Sequence, residues 1–268
     1  MGDKRILHAW QDILKTPLPG LHLAQTYPDE SFLVKAVGLY ASSGLQAGDG
    51  VFLAATKTHL KAFYDEVETL GHNVEALRES GRLYGLAAEE ALADIMNDRL
   101  PDAPTFFRLA KRSIDQVRRK SKNGQLRIYG ELVNVLWLAG NLDGAMAIEK
   151  LWDELAKTHA FTLFCGYSMD SLDRSICSGP MQSVSRVHSH VIPAQDYDRL
   201  ENAVLMGSRD VLGQSGASCV LELAGTAPQT WGEMPAGQKL LLWLSDNMPA
   251  TAEKIFSRSK NYYQQAAI

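Results

Sequence analysis

The chain has 268 residues, 27 Lys and Arg against 31 Asp and Glu, a formal net charge of −4, 46% apolar residues and 22% charged. That balance excludes intrinsic disorder as the main state and suits one large domain, or one domain with a small appendage. It offers no basic face for nucleic acid, no apolar run nears the roughly 20 residues that span a bilayer, and three widely spaced cysteines (Cys165, Cys177, Cys219) form neither a disulfide framework nor a CxxC zinc motif. The expectation is a cytoplasmic protein with free thiols that binds neither nucleic acid nor membrane directly.

Residues 5–15 place Ile6, Leu7, Trp10, Ile13 and Leu14 at helical spacing before Pro17 and Pro19, which suits a peripheral helix packed on the body or on a second copy in a homodimer. His22-Leu-Ala-Gln-Thr-Tyr27 reads as a short strand, and Pro28-Asp-Glu-Ser opens a helix that stops near Gly44. The continuous apolar run in residues 48–56 reads as a strand buried on both faces, followed by helices over 57–70 and 73–79, a strand over 82–86, a helix over 87–96 and another from Pro101 and Pro104 to about Lys120. Residues 126–130 and 161–167 are two more buried strands, with a helix over 142–159 between them. Such alternation predicts an α/β fold in three layers, a mostly parallel sheet with helices on both faces. Beyond Ser168 the pattern predicts a strand within 181–191, a helix over 196–211, a connecting segment over 213–233 and two helices around Asp246-Asn-Met-Pro249. The expected organisation is an N-terminal helix over 1–19, an α/β domain over 20–212, and a linker with a helical tail over 213–268.

In such sheets ligands bind beyond the carboxyl ends of the strands, which selects Thr56 to His59, Gly130-Glu131 and Gly166-Tyr167-Ser168. Thr56-Lys-Thr-His59 stands where a P-loop would stand but lacks its glycines, so ordinary ATP hydrolysis is not expected, although a helix N-terminus with Lys57 can still attract an anion. Glu131 is either a helix-start charge or a crevice carboxylate, with Arg127 as a possible ion-pair partner. His188-Ser-His190 puts two imidazoles on one face of a strand, without a visible third ligand for a metal. His22, Gln25 and Tyr27 either bond a ligand or pin the first strand. Cys165 has no cation beside it in sequence to lower its pKa, which argues against a nucleophile. No catalytic constellation is apparent, and no nucleotide or metal motif is intact, so the cofactor is unknown.

Taken in order, His22-Leu-Ala-Gln-Thr-Tyr27, Gly44 to Thr56, Tyr129-Gly-Glu-Leu-Val-Asn-Val-Leu-Trp137, Glu149-Lys-Leu-Trp-Asp-Glu-Leu155, Phe161 to Tyr167 and His188-Ser-His-Val-Ile-Pro193 resemble the MEDS sensory domain, named for methanogens, methylotrophs and a dichloromethane-responsive repressor. The resemblance covers about residues 20–195. It implies a prokaryotic signal-input module for small hydrocarbon derivatives, similar in its core to RecA-like circadian-clock ATPases with a degraded phosphate motif. The matching positions to watch are His22, Gln25, Tyr27, Thr56, His59, Glu131, Trp137, Trp152, Tyr167, His188 and His190. The resulting expectation is a non-enzymatic sensor that binds a small molecule in a crevice bordered by Thr56, Glu131 and Tyr167 and regulates a kinase or transcription regulator. The alternatives are a nucleotide-binding protein or weak ATPase with a degenerate site, and an anti-sigma-like interaction module.

Overall fold

The computed structural model describes residues 10–227 and 231–266. The part of the predicted N-terminal helix carrying Ile6 and Leu7 lies outside them. The chain falls into two compact units, one formed by Gln11–Gln25 and Asp29–Ser168, the other, among the described residues, by Trp10, Thr26–Pro28 and those from Met169 onward.

In chain order the first unit runs through α1 (Trp10–Lys15), β1 (His22–Tyr27, which passes to the second unit at Thr26), α2 (Glu30–Ala47), β2 (Gly50–Ala55), α3 (Lys57–Thr69), α4 (Val74–Glu79), β3 (Leu83–Ala87) and α5 (Ala88–Ile95). A small antiparallel hairpin follows, β4 (Met96–Asn97) and β5 (Leu100–Pro101), then α6 (Ala103–Arg118), β6 (Leu126–Gly130), α7 (Leu132–Leu138), α8 (Leu142–Ala156) and β7 (Thr162–Ser168). The main sheet has the strand order β3-β2-β6-β7-β1-β8, where β8 is His190–Ile192. β2 pairs in parallel with β3 (Leu53↔Gly85) and β6 (Leu53↔Tyr129), and β6 with β7 (Tyr129↔Phe164). The bonds Leu163 N–H to Leu21 O and Met169 N–H to Tyr27 O share one register offset, as a parallel β7–β1 pair requires.

Every residue of β2 and β6 is buried, because helices cover both faces. On one face α2 and α3 bring Tyr40 edge-on to Phe164 and Phe63 edge-on to Tyr129. On the other, Phe52 and Ala54 of β2 meet Ala91 and Ile95 of α5, Phe106 of α6 and Trp152 of α8 around an apolar cavity of about 20 Å³. These are the predicted three layers.

α2 runs past Gly44 to Ala47, where Gly48 (φ 97°) closes it. The Asp49 amide bonds the Gly44 carbonyl and the Gly48 amide that of Leu45, a left-handed cap that costs glycine nothing. Gly44 stays bare of a side chain for another reason: a Cβ there would lie 2.6 Å from the Arg127 side chain beneath it. Arg127 is not the partner of Glu131. It sits at the opposite end of β6, where its Nε donates to Asp49 Oδ2 at 2.7 Å and its other nitrogens donate to the carbonyls of Leu14, Lys15 and Tyr40. It thereby caps the C-terminal end of α1, whose carbonyls favour a cation.

The second unit contains α9 (Arg174–Cys177), α10 (Pro180–Val187), β8, α11 (Tyr197–Thr226), α12 (Ala236–Asn247) and α13 (Pro249–Gln265). Residues 181–187 are helical instead of the predicted strand, since Pro180 occupies the first turn and buries Met181, Val184 and Ser185 along one side, leaving only β8 extended. The segment from Gly213 is not a connector: α11 breaks at Gly213 (φ 72°, ψ 173°) and resumes to Thr226 with Ala217, Val220 and Ala224 buried at helical spacing. No helix of the described residues is long and apolar enough to cross a membrane.

Candidate functional site

A buried cluster of charge on the α2–α3 face lies at the carboxyl ends of β2 and β6. α3 starts directly after β2, with Thr56 as its cap, Oγ1 accepting from the His59 amide at 3.2 Å. One helical step on, His59 turns inward and is buried, while Lys57 stays outside and pairs with Glu90. β6 ends at Gly130, and Glu131, 1% exposed, opens α7. Its carboxylate accepts from His59 Nδ1 at 2.8 and 3.0 Å, from the Thr56 amide at 3.2 Å and from the Tyr129 hydroxyl at 3.3 Å. The hydrogen bond to Glu131 raises the pKa of His59 above the ordinary imidazole value, against the opposing effect of burial. The ring's other nitrogen, Nε2, faces the exposed Glu30 carboxylate at 3.8 Å. The Glu131 carboxylate thus favours the protonated form of the ring, whose Nε2 side is turned toward Glu30.

Gln25 shares this face. Strand alternation puts it opposite to His22, on the side where Phe164 and Tyr129 meet. It is wholly buried, and neither its amide oxygen nor its nitrogen has a hydrogen-bond partner. Gly166 of the neighbouring β7 adds no side chain there; a Cβ on it would collide with the Tyr129 hydroxyl.

Tyr167 does not join Thr56 and Glu131. It lies on the opposite face of the sheet, where its hydroxyl donates to Glu149 Oε1 and its ring meets Trp137 edge-on. A second cluster forms there: His22 Nε2 is 3.3 Å from Glu149 Oε2 and 3.5 Å from Cys165 Sγ, and His22 Nδ1 donates to Asp153 Oδ1 at 3.2 Å. Burial would lower the His22 pKa, but Asp153, Cys165 and Glu149 together hold it well above the ordinary value. Burial, reinforced by Glu149, pushes the Cys165 thiol up to about 12 even with His22 beside it, so the group is no thiolate nucleophile near neutral pH. Trp152 packs edge-on to Phe106 and Phe161 as core.

The remaining candidates belong to the second unit. Tyr27 is buried, and its carbonyl accepts from the Met169 amide. His188 and His190 do not share a strand face: His188 ends α10, with Nδ1 donating to the Val184 carbonyl at 2.8 Å, whereas His190 lies in β8 with Nε2 3.4 Å from Glu233.

Tyr129, Glu149 and Asp153 were not singled out by sequence as site residues. For Glu149 a signal existed, since it falls between Ala145 and Trp152 on the buried side of α8, where a carboxylate needs a reason.

The model of the methanogen/methylotroph, DcmR sensory domain family, MEDS, matches residues 21–189, more than half of the chain. No curated protein and no solved structure gives a significant match. Both clusters fall inside the matched region, and the chain belongs to the MEDS sensory-domain family.

Proposed function

We propose that this chain is a non-enzymatic, cytoplasmic signal-input protein that binds a small hydrocarbon derivative on the α2–α3 face, between Gln25 and the His59–Glu131 pair. The observation that carries the reading is Gln25. A buried amide with both hydrogen-bonding atoms unmet costs stability, and it lies on the same face as a buried carboxylate–imidazole pair at the strand ends, where open α/β sheets bind ligands. A small molecule with an apolar body and one polar group meets the needs of that face: the Gln25 amide and the outward N–H of His59 supply hydrogen bonds, and the surrounding Phe63, Leu33 and Tyr129 side chains supply apolar contact. A ligand that favours one of two conformations shifts their populations, and a kinase or transcription regulator reads the shift.

Binding of small halogenated, methylated and oxygenated hydrocarbons to wild type, Glu131→Gln and Gln25→Leu by titration calorimetry tests this. The expected outcome is a ligand whose affinity falls at least about tenfold in both variants, the loss of one good hydrogen bond, while circular dichroism stays unchanged. Undiminished affinity in both folded variants would place the site elsewhere.

A further inference from the structure

The cluster on the opposite face has no part in that reading, and its donors come from three different elements: His22 from the start of β1, Glu149 from the middle of α8 and Cys165 from β7. A thiol, an imidazole and a carboxylate converge with Sγ, a ring nitrogen and a carboxylate oxygen all within 4.8 Å of one another. Two of the separations are 3.3 and 3.5 Å, both from His22 Nε2. A tetrahedral zinc ion, with bonds of about 2.0–2.3 Å to nitrogen, oxygen and sulfur, spaces its donors about 3.3–3.8 Å apart. The two separations from His22 Nε2 fall in that range, and all three donors lie close enough to converge on one ion.

The surrounding groups aim these atoms. Asp153 accepts a hydrogen bond from Nδ1–H of His22, which directs Nε2 toward Cys165 and Glu149, the carboxylate–histidine–metal arrangement that orients such ligands. Tyr167 donates to Oε1 of Glu149, which leaves Oε2 as the oxygen nearest His22. Two carboxylates beside a thiol and an imidazole, buried in a sheet face, form a setting that attracts a cation, and the thiol–imidazole–carboxylate mixture selects a borderline metal over magnesium or calcium.

We propose that His22, Glu149 and Cys165 bind one divalent ion of the zinc class. The Cys165 thiol proton, and any proton on His22 Nε2, leave to solvent as the metal–sulfur, metal–nitrogen and metal–oxygen bonds form. The ion ties β1, α8 and β7 together at a place separate from the Glu131 face.

The test uses the full chain, stripped with chelator and reloaded with zinc or cobalt. Wild type is expected to retain one zinc per chain through gel filtration, to melt several degrees higher when loaded, and with cobalt to show thiolate-to-metal charge-transfer absorption in the near ultraviolet. Cys165→Ala and His22→Ala are expected to lose all three, Asp153→Asn to weaken zinc about 10–100-fold, and Cys219→Ser, which removes the exposed thiol, to change none of them. Because the cobalt spectrum of wild type and of Cys219→Ser needs no core variant to fold, it decides alone. Absence of the thiolate band there, or full zinc retention in Cys165→Ala, would overturn the proposal. Ligand binding at the Glu131 face is read by calorimetry on zinc-free protein, so either reading can fail without the other.

Discussion

Replacing Glu131 by Gln keeps the shape of the side chain and removes the charge that His59 leans on. In the native fold the carboxylate accepts from His59 Nδ1 at 2.8 and 3.0 Å, with both side chains buried. Because Glu131 raises the folded pKa of His59 above the unfolded value of about 6.5, the native state holds a proton that the unfolded chain releases. The contribution is therefore complete below about pH 6.5 and is lost as pH rises through the higher folded value, with a slope of up to about 1.36 kcal/mol per pH unit for one proton. At low pH the variant forfeits a charge-assisted bond, about 1.5–3 kcal/mol. At high pH His59 is neutral in both proteins, the amide oxygen introduced by Glu131→Gln still accepts from the ring and from the Thr56 amide, and the cost shrinks to about 1 kcal/mol or less. His22 titrates in both proteins and cancels in the difference. Urea unfolding followed by circular dichroism between about pH 5.5 and 8.5 measures it. A stability difference that stays constant, or grows, as pH rises would refute the assigned coupling of His59 to Glu131.

Gln25→Leu is expected to stabilise the ligand-free protein by about 1–3 kcal/mol, since it replaces an amide whose two polar atoms are buried and unmet with an apolar group of similar size; a lower urea midpoint would show that the amide is satisfied. Asp49→Ala strands the buried Arg127 guanidinium and should cost about 3–5 kcal/mol in the same assay, and a cost below about 1 kcal/mol would remove Arg127 from its role as the hub of α1, α2 and β6. In chelated native protein a thiol reagent should modify Cys219 at once and Cys165 and Cys177 only slowly, because the last two are buried and burial pushes both up to about 12; three fast thiols would contradict the packing around β7 and α9.

The layers of the fold are legible in sequence because parallel strands covered on both sides are continuous apolar runs, as in Val51-Phe-Leu-Ala-Ala55, and the helices between them carry their own caps, Thr56, Asn73, Asp102 and Asn141. The strand expected within 181–191 fails because Met181, Val184 and Val187 lie three residues apart, a helical and not an alternating spacing, and Pro180 is a helix-start signal. The segment after Gly213 misleads by composition: its Ala, Ser and Gly residues are small enough for close helix packing as well as for a linker. At the candidate site, the grouping of Thr56, His59 and Glu131 follows from the strand-end rule, which needs only the order of elements. Tyr167 is assigned to them wrongly because that rule does not say which face a side chain takes: one step along β7 separates Gly166, on the Tyr129 side, from Tyr167, on the Glu149 side. Arg127 and Asp49 are 78 residues apart and His22 and Cys165 are 143 apart, so these pairs follow only from the strand order β3-β2-β6-β7-β1-β8, which the sequence does not spell out.

The proposed function requires that this MEDS chain bind a small hydrocarbon derivative and no nucleotide. A thermal-shift screen of the purified protein against halogenated, methylated and oxygenated small hydrocarbons, with Mg-ATP and Mg-ADP alongside, tests it directly. A ligand at about 100 times its Kd adds roughly 2.7 kcal/mol, a rise of several degrees for a chain of this size. That rise is expected with one or more of the small hydrocarbons and not with the nucleotides; a rise with Mg-ATP alone, or with nothing in the panel, would refute the proposed function.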